Sequence, residues 1–155
     1  MSRAFVKEPD GSEPPEPLPD RPISSHPNFV TPEGLRLIDK NLSELREKLA
    51  AARASGDRAA LAQIARDARY WAARRATAQV ATPPDQPSEV TFGATVTFAR
   101  DDGRRQTYRI VGEDESDPAR GALSYVSPLA RELIGKTVGD VVRAGNADAK
   151  IVEIK

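Results

Sequence analysis

The sequence predicts an α+β protein: an antiparallel helical hairpin followed by a small β-rich domain that carries one short helix. Three observations support this. Within residues 33–79, apolar residues recur at alternating spacings of three and four along two successive stretches. The turn signal Ser55-Gly56-Asp57 separates those stretches. Beyond a proline-rich segment at 81–88, the apolar period changes to two.

Residues 1–30 come first. Pro9, Pro14, Pro15, Pro17, Pro19, Pro22 and Pro27 each fix φ and lack an N–H donor, so neither helix nor sheet propagates there. Few apolar side chains are available to offset chain entropy, and an extended, disordered arm is expected. Phe5-Val6 and Phe29-Val30 are expected adhesive points on it.

The hairpin is assigned to 31–80. Thr31 is placed to cap the first helix and Pro32 suits its first position. Gly34 stands where a capping box would want Glu. Leu35, Ile38, Leu42, Leu45, Leu49 and Ala52 form a narrow apolar stripe that needs one partner helix. Gly56 suits the left-handed residue after a helix, and Asp57 suits the cap of the next. Leu61, Ile64, Ala68 and Trp71 then continue a second stripe. A turn this short forces the two helices antiparallel, so the stripes bury each other. At ~1.5 Å per residue the hairpin should project on the order of 30 Å. Its alanines bury little area, so its outer end should be only moderately stable.

Pro83, Pro84 and Pro87 make 81–88 a stiff linker, and a domain over 89–155 follows. Val90, Phe92, Ala94, Val96 and Phe98 alternate with polar or small residues, predicting a half-buried strand over 90–98. Asp101-Asp102-Gly103-Arg104 is a turn signal, and 106–111 is the paired strand. Asp117-Pro118 and Gly121 mark a loop before a short strand at 123–126. Ser127-Pro128 caps a short helix over 129–134 that Gly135 stops. Val138, Val141 and Val142 predict another strand, and 149–154 the last. The result is four or five antiparallel strands around one short helix.

Lys and Arg number 23 against 23 Asp and Glu, so no bulk attraction to nucleic acid or an anionic membrane is implied. With no cysteine, disulfides, Cys-zinc sites and thiol chemistry are excluded. No apolar run approaches the roughly 20 residues that span a bilayer. Met1-Ser2-Arg3 leads into no apolar signal region. A cytoplasmic protein is expected.

No catalytic triad, phosphate-cradling glycine loop or metal-ligand cluster stands out. Asp57 is read as a helix cap before a metal ligand, and Trp71 as packing where hairpin and β domain meet. His26 stands alone in the arm, with no second ligand or base near it in sequence, and is given no catalytic role. Arg66, Arg69, Arg74 and Arg75 are read as a solvated helix face. Gly112-Glu113-Asp114-Glu115-Ser116-Asp117 is read as a solvated acidic loop.

Several of these stretches resemble the GreA/GreB-type bacterial transcription elongation factors. They are Thr31-Pro32-Glu33-Gly34-Leu35, Ser55-Gly56-Asp57-Arg58, Val90-Thr91-Phe92-Gly93-Ala94-Thr95-Val96 and Tyr108-Arg109-Ile110-Val111-Gly112 with Asp114-Glu115. The most specific run is 124–140, SYVSPLARELIGKTVGD. The likeness spans 31–155, and the proline-rich arm has no counterpart in the short members. The resemblance implies an FKBP-like β domain that docks on RNA polymerase near the entrance of its secondary channel. It implies a coiled coil that enters that channel, and an acidic tip that helps a magnesium ion activate water to cleave backtracked RNA.

This chain departs from that pattern. The family tip reads Gly-Asp-x-x-Glu-Asn, and here Ala60 and Leu61 occupy its last two positions. The helices are also shorter than the family's by about two turns, roughly 11 Å. The expectation is a regulator that binds polymerase without efficient transcript cleavage, is not itself an enzyme, and has no catalytic residue, metal or cofactor of its own. Gly56, Asp57 and Arg58 are its tip. Ser124, Ser127, Pro128 and Arg131 are the expected polymerase contacts, with Val126 where the GreB branch carries an acid. RNA polymerase is the expected partner, at the secondary-channel rim, with indirect contact to DNA or RNA, no membrane, and a monomeric state. Three alternatives remain: a true cleavage factor, a relative that regulates nucleoside-diphosphate kinase, and a prolyl isomerase.

Overall fold

The computed structural model describes residues 16–155. The expectations for Phe5-Val6 and for Pro9, Pro14 and Pro15 lie outside those residues. The fold is α+β: a helical hairpin and a curled, mostly antiparallel five-stranded sheet.

Helix α1 spans Pro32–Ser55 and α2 spans Arg58–Thr77. The Thr31 side chain accepts from the Gly34 N–H at 3.0 Å, and Pro32 occupies the first turn. Their 24 and 20 residues correspond to about 36 and 30 Å of helix. Ile38, Leu42 and Ala52 of the predicted stripe are buried, while Leu35, Leu45 and Leu49 are half-buried. No residue of the second stripe is fully buried. Two lone helices cannot enclose each other, so burial concentrates at the root, where Val30, Ile38 and Leu42 pack with Leu35, Trp71 and Ala78. Trp71 therefore belongs to the hairpin's own root cluster rather than to a junction with the β domain.

The expected disordered arm is corrected at its end. β1 (Phe29–Val30) pairs in parallel with β2 (Gln79–Val80), immediately after α2. Asn28 and Val30 are 4% and 1% exposed. Prolines forbid propagation but not a two-residue ladder, and a buried valine repays the ordering of its backbone.

The sheet order is β5-β4-β3-β7-β6. β3 (Thr95–Arg100) pairs antiparallel with β4 (Arg105–Val111) and β7 (Ala147–Ile154), and β7 pairs with β6 (Val141–Ala144). Val96, Phe98, Ile110 and Ile151 are fully buried, and α3 (Pro128–Leu133) covers them with Ala130 and Leu133.

Three strand expectations change. The strand predicted over 90–98 starts only at Thr95, because Gly93 adopts φ 85° and its N–H turns to the Ile110 carbonyl at 2.7 Å. A Cβ on Gly93 would lie 2.8 Å from Pro83 Cδ, so the linker itself demands glycine there. Val138 lies outside β6 and is 58% exposed, beside Gly139 at φ 96°. The sheet is not wholly antiparallel: β5 (Ala122–Ser124) runs parallel to β4. Residues 112–121, with two 3₁₀ turns at Glu113–Glu115 and Pro118–Arg120, carry the chain back to make that possible. Among the described residues no helix is long and apolar enough to cross a membrane.

Candidate functional site

The exposed tip forms where α1 ends on Gly56 at φ 71°. The Asp57 carboxylate accepts from the Ala60 N–H at 3.1 Å and so caps α2. Arg58 is the first residue of that helix. The tip does not fit a magnesium ion. Its one carboxylate is engaged as a cap, and the chain offers Ala60 and Leu61 where a second oxygen donor would stand. Among the described residues no group of three His, Cys, Asp or Glu side chains gathers anywhere. Asp57→Asn should leave the thermal midpoint unchanged, because Asn caps equally well, whereas Asp57→Ala should cost about 1 kcal/mol. Equal losses in the two variants would mean the charge, not the cap, matters.

The second candidate surface is the edge that opens α3. The Ser127 hydroxyl accepts from the Ala130 N–H at 3.3 Å, and Pro128 takes the first helical turn. Pro128 and Arg131 are exposed. Ser124 ends β5 and accepts from the Val126 N–H at 3.4 Å. A shallow groove of about 490 Å³ opens here, walled by Leu123, Ser127, Pro128, Leu129, Glu132 and Arg143. The structure thus brings Ser127 and Pro128 to one groove and leaves Ser124 and Arg131 out of its walls.

The third feature joins the two halves of the molecule, and the sequence reading misplaced both of its sides. Arg74 is not solvated: it is 2% exposed, and its Nε lies 2.5 Å from Asp114 Oδ2. Glu113 is 3.8 Å from the same guanidinium. Nor is 112–117 a free acidic loop. Asp114 also accepts from the Tyr70 hydroxyl at 2.5 Å. Glu115 accepts from the Thr31 N–H at 3.1 Å, the Gly112 N–H at 3.0 Å and the Thr31 hydroxyl. Arg109 of β4 reaches Glu33 of α1 at 3.1 Å. A cue was present in the spacing, since 61, 64, 68 and 71 continue inward to 74. Arg69 and Arg75 are exposed but paired with Asp20 and Asp39 at 2.6 and 2.7 Å.

Burial, then the hydrogen bond to Asp114, then the Asp114 charge push the Tyr70 phenol up to about 12 from its ordinary 10.0. An unfolded tyrosine loses its proton first, so the stability that Tyr70 contributes is present below about pH 10 and lost as pH rises through about 12. Urea midpoints measured from pH 9 upward should fall less steeply in Tyr70→Phe than in the parent. Identical slopes would contradict this reading.

Residues 85–155 match the family described as transcription elongation factor, GreA/GreB, C-term. The chain is 36% identical over 135 residues to transcription elongation factor GreB of Neisseria meningitidis serogroup B, covering 74% of this chain and 83% of that protein. It is 34% identical over 149 residues to transcription elongation factor GreA of Paracoccus denitrificans, covering 81% and 96%. Among solved structures, the GreA factor homolog 1 protein of Thermus thermophilus superposes with a TM-score of 0.42 at 21% identity, over 84% of this chain and 99% of that one.

Proposed function

The chain belongs to the GreA/GreB family of transcription elongation factors, and from that premise we propose that it is an RNA polymerase-binding regulator that docks near the secondary channel without promoting efficient transcript cleavage. The observation that carries the second half is the tip. Metal-assisted hydrolysis needs a cation held between ligands in fixed geometry. Here Asp57 caps α2, and no second carboxylate stands beside it. The α3 edge with Ser124, Ser127, Pro128 and Arg131 is the surface we assign to polymerase. The occupied channel would then alter elongation by occlusion, with contact to nucleic acid only through the complex.

Two measurements separate the parts of this reading. The protein should co-purify with core polymerase, and an Arg131→Glu, Pro128→Ala variant should weaken that retention. Failure to bind at micromolar concentration would sink the docking assignment. A stalled, backtracked complex given this protein should shorten its RNA no faster than the complex alone. Faster shortening that Asp57→Asn abolishes would restore the cleavage reading.

A further inference from the structure

We propose that residues 18–30, ahead of the hairpin, are a strap that sets the angle between the hairpin and the β domain. Its outer part, 18–21, is fixed to the hairpin, and its inner part, 27–30, touches both bodies. On the hairpin side, Asp20 pairs with Arg69 at 2.6 Å, and the Leu18 carbonyl accepts from the same guanidinium at 3.0 Å. Arg21 pairs with Asp67 at 3.3 Å and lies 3.9 Å over the Tyr70 ring. Further along, the Asn28 side chain donates to the Arg74 carbonyl at 2.7 Å and to the Thr77 hydroxyl at 3.2 Å. The main chain of Asn28 and Val30 accepts from Gln79 and Ala81 at 2.9 and 3.0 Å.

On the other side, the Pro27 carbonyl accepts from the Tyr125 hydroxyl. The Phe29 ring packs against Phe92 and Tyr125, with centroids 5.9 and 5.6 Å away, and those two rings also touch each other. A Cβ on Gly112 would lie 2.4 Å from the Phe29 carbonyl, so this strand is pressed against the acidic turn. One segment thus holds Tyr125 and Phe92 of the β domain, Asp67 and Arg69 in the middle of α2, and Gln79 just after it. A segment anchored on both sides of a junction resists rotation about it, because turning one body must break contacts to the strap.

The strap has two zones of different character. Its inner zone, 28–30, is buried and hydrogen-bonded. The outer zone, 18–21, relies on exposed ion pairs, which salt screens within about 10 Å at 0.1 M. The outer zone should therefore release first, as ionic strength rises.

The chain contains no cysteine, so Ala54→Cys near the tip and Asn146→Cys in the β6–β7 turn can carry the only two spin labels. Double electron–electron resonance on the full-length protein then reads the angle as a distance distribution. The parent should give one narrow distribution. Deleting residues 1–21, which removes the outer zone, or making Phe29→Ala with Tyr125→Phe, which cuts the inner zone from the β domain, should widen it about twofold while circular dichroism stays unchanged. Salt at 1 M should widen the parent in the same direction and leave the deletion variant alone. Lys40→Ala, which removes an exposed ion pair to Glu44 within α1 and away from the strap and the junction, is the control and should change nothing. An unchanged width in both strap variants would overturn the proposal and leave the angle to the direct contacts between the two bodies, Arg74–Asp114, Arg109–Glu33 and Thr31–Glu115. No polymerase is involved, so this outcome and the docking reading fail independently.

Discussion

Arg74→Ala should destabilise the protein by about 3–5 kcal/mol, the cost of leaving a buried charge without its partner. The Arg74 side chain is 3% exposed and that of Asp114 is 9% exposed, so little water is available to replace the lost guanidinium. The Asn28 contact is to the Arg74 main chain and survives the substitution, which isolates the side chain's share. Trp71 is the protein's sole tryptophan and sits in the root cluster, so its fluorescence reports the event in a urea titration. The midpoint should fall with the slope unchanged. Arg74→Ala combined with Asp114→Asn should recover a large part of the loss, because the neutral amide removes the stranded charge and still accepts from Tyr70. A loss under about 1 kcal/mol would place this pair with the screened surface bridges.

Gly34→Ala should cost about 2–3 kcal/mol, although alanine is the better helix former by about 1 kcal/mol. A Cβ at this position would lie 2.2 Å from Glu115 Cδ. The carboxylate would have to leave, and the N–H groups of Thr31 and Gly112 would lose their acceptor. The glycine that breaks the capping box therefore makes room for a replacement: Glu115, 84 residues away from Thr31 in sequence, supplies the carboxylate that a local Glu would have brought to the cap's N–H. Glu115→Ala should cost a similar amount, and the double variant no more than either alone. If Gly34→Ala raises the thermal midpoint, the helix propensity has won and the contact is weak.

The parts of the fold governed by local rules are legible in the chain. Thr31, Asp57 and Ser127 cap the helices they precede, each through its own side chain. Gly56 ends α1 in the left-handed region. That the tip has a single carboxylate is legible in Ala60, which follows Asp57 by three residues. These features depend on neighbours three or four residues away, which is the range over which spacing carries information.

A distant partner changes what several residues do. Arg74 and Glu113-Asp114-Glu115 look like solvent-facing charge when each is read alone; Asp114 and Glu113 give Arg74 the partners that let it be buried, and Glu115 is held by the Thr31 and Gly112 N–H groups. Phe29-Val30 looks like the end of an unstructured arm until β2 offers it a ladder and Phe92 and Tyr125 offer it rings. Alternation along 90–98 hides a turn at Gly93, imposed by Ile110 and Pro83.

By itself, then, the sequence determined the hairpin, its capped and carboxylate-poor tip, the β domain and the family. Each rests on periodicity, capping chemistry or a local motif. Only the tertiary structure decided how hairpin and β domain are joined. That junction is made of charges, a phenol and a two-residue strand, whose burial is a property of the pair and not of either segment.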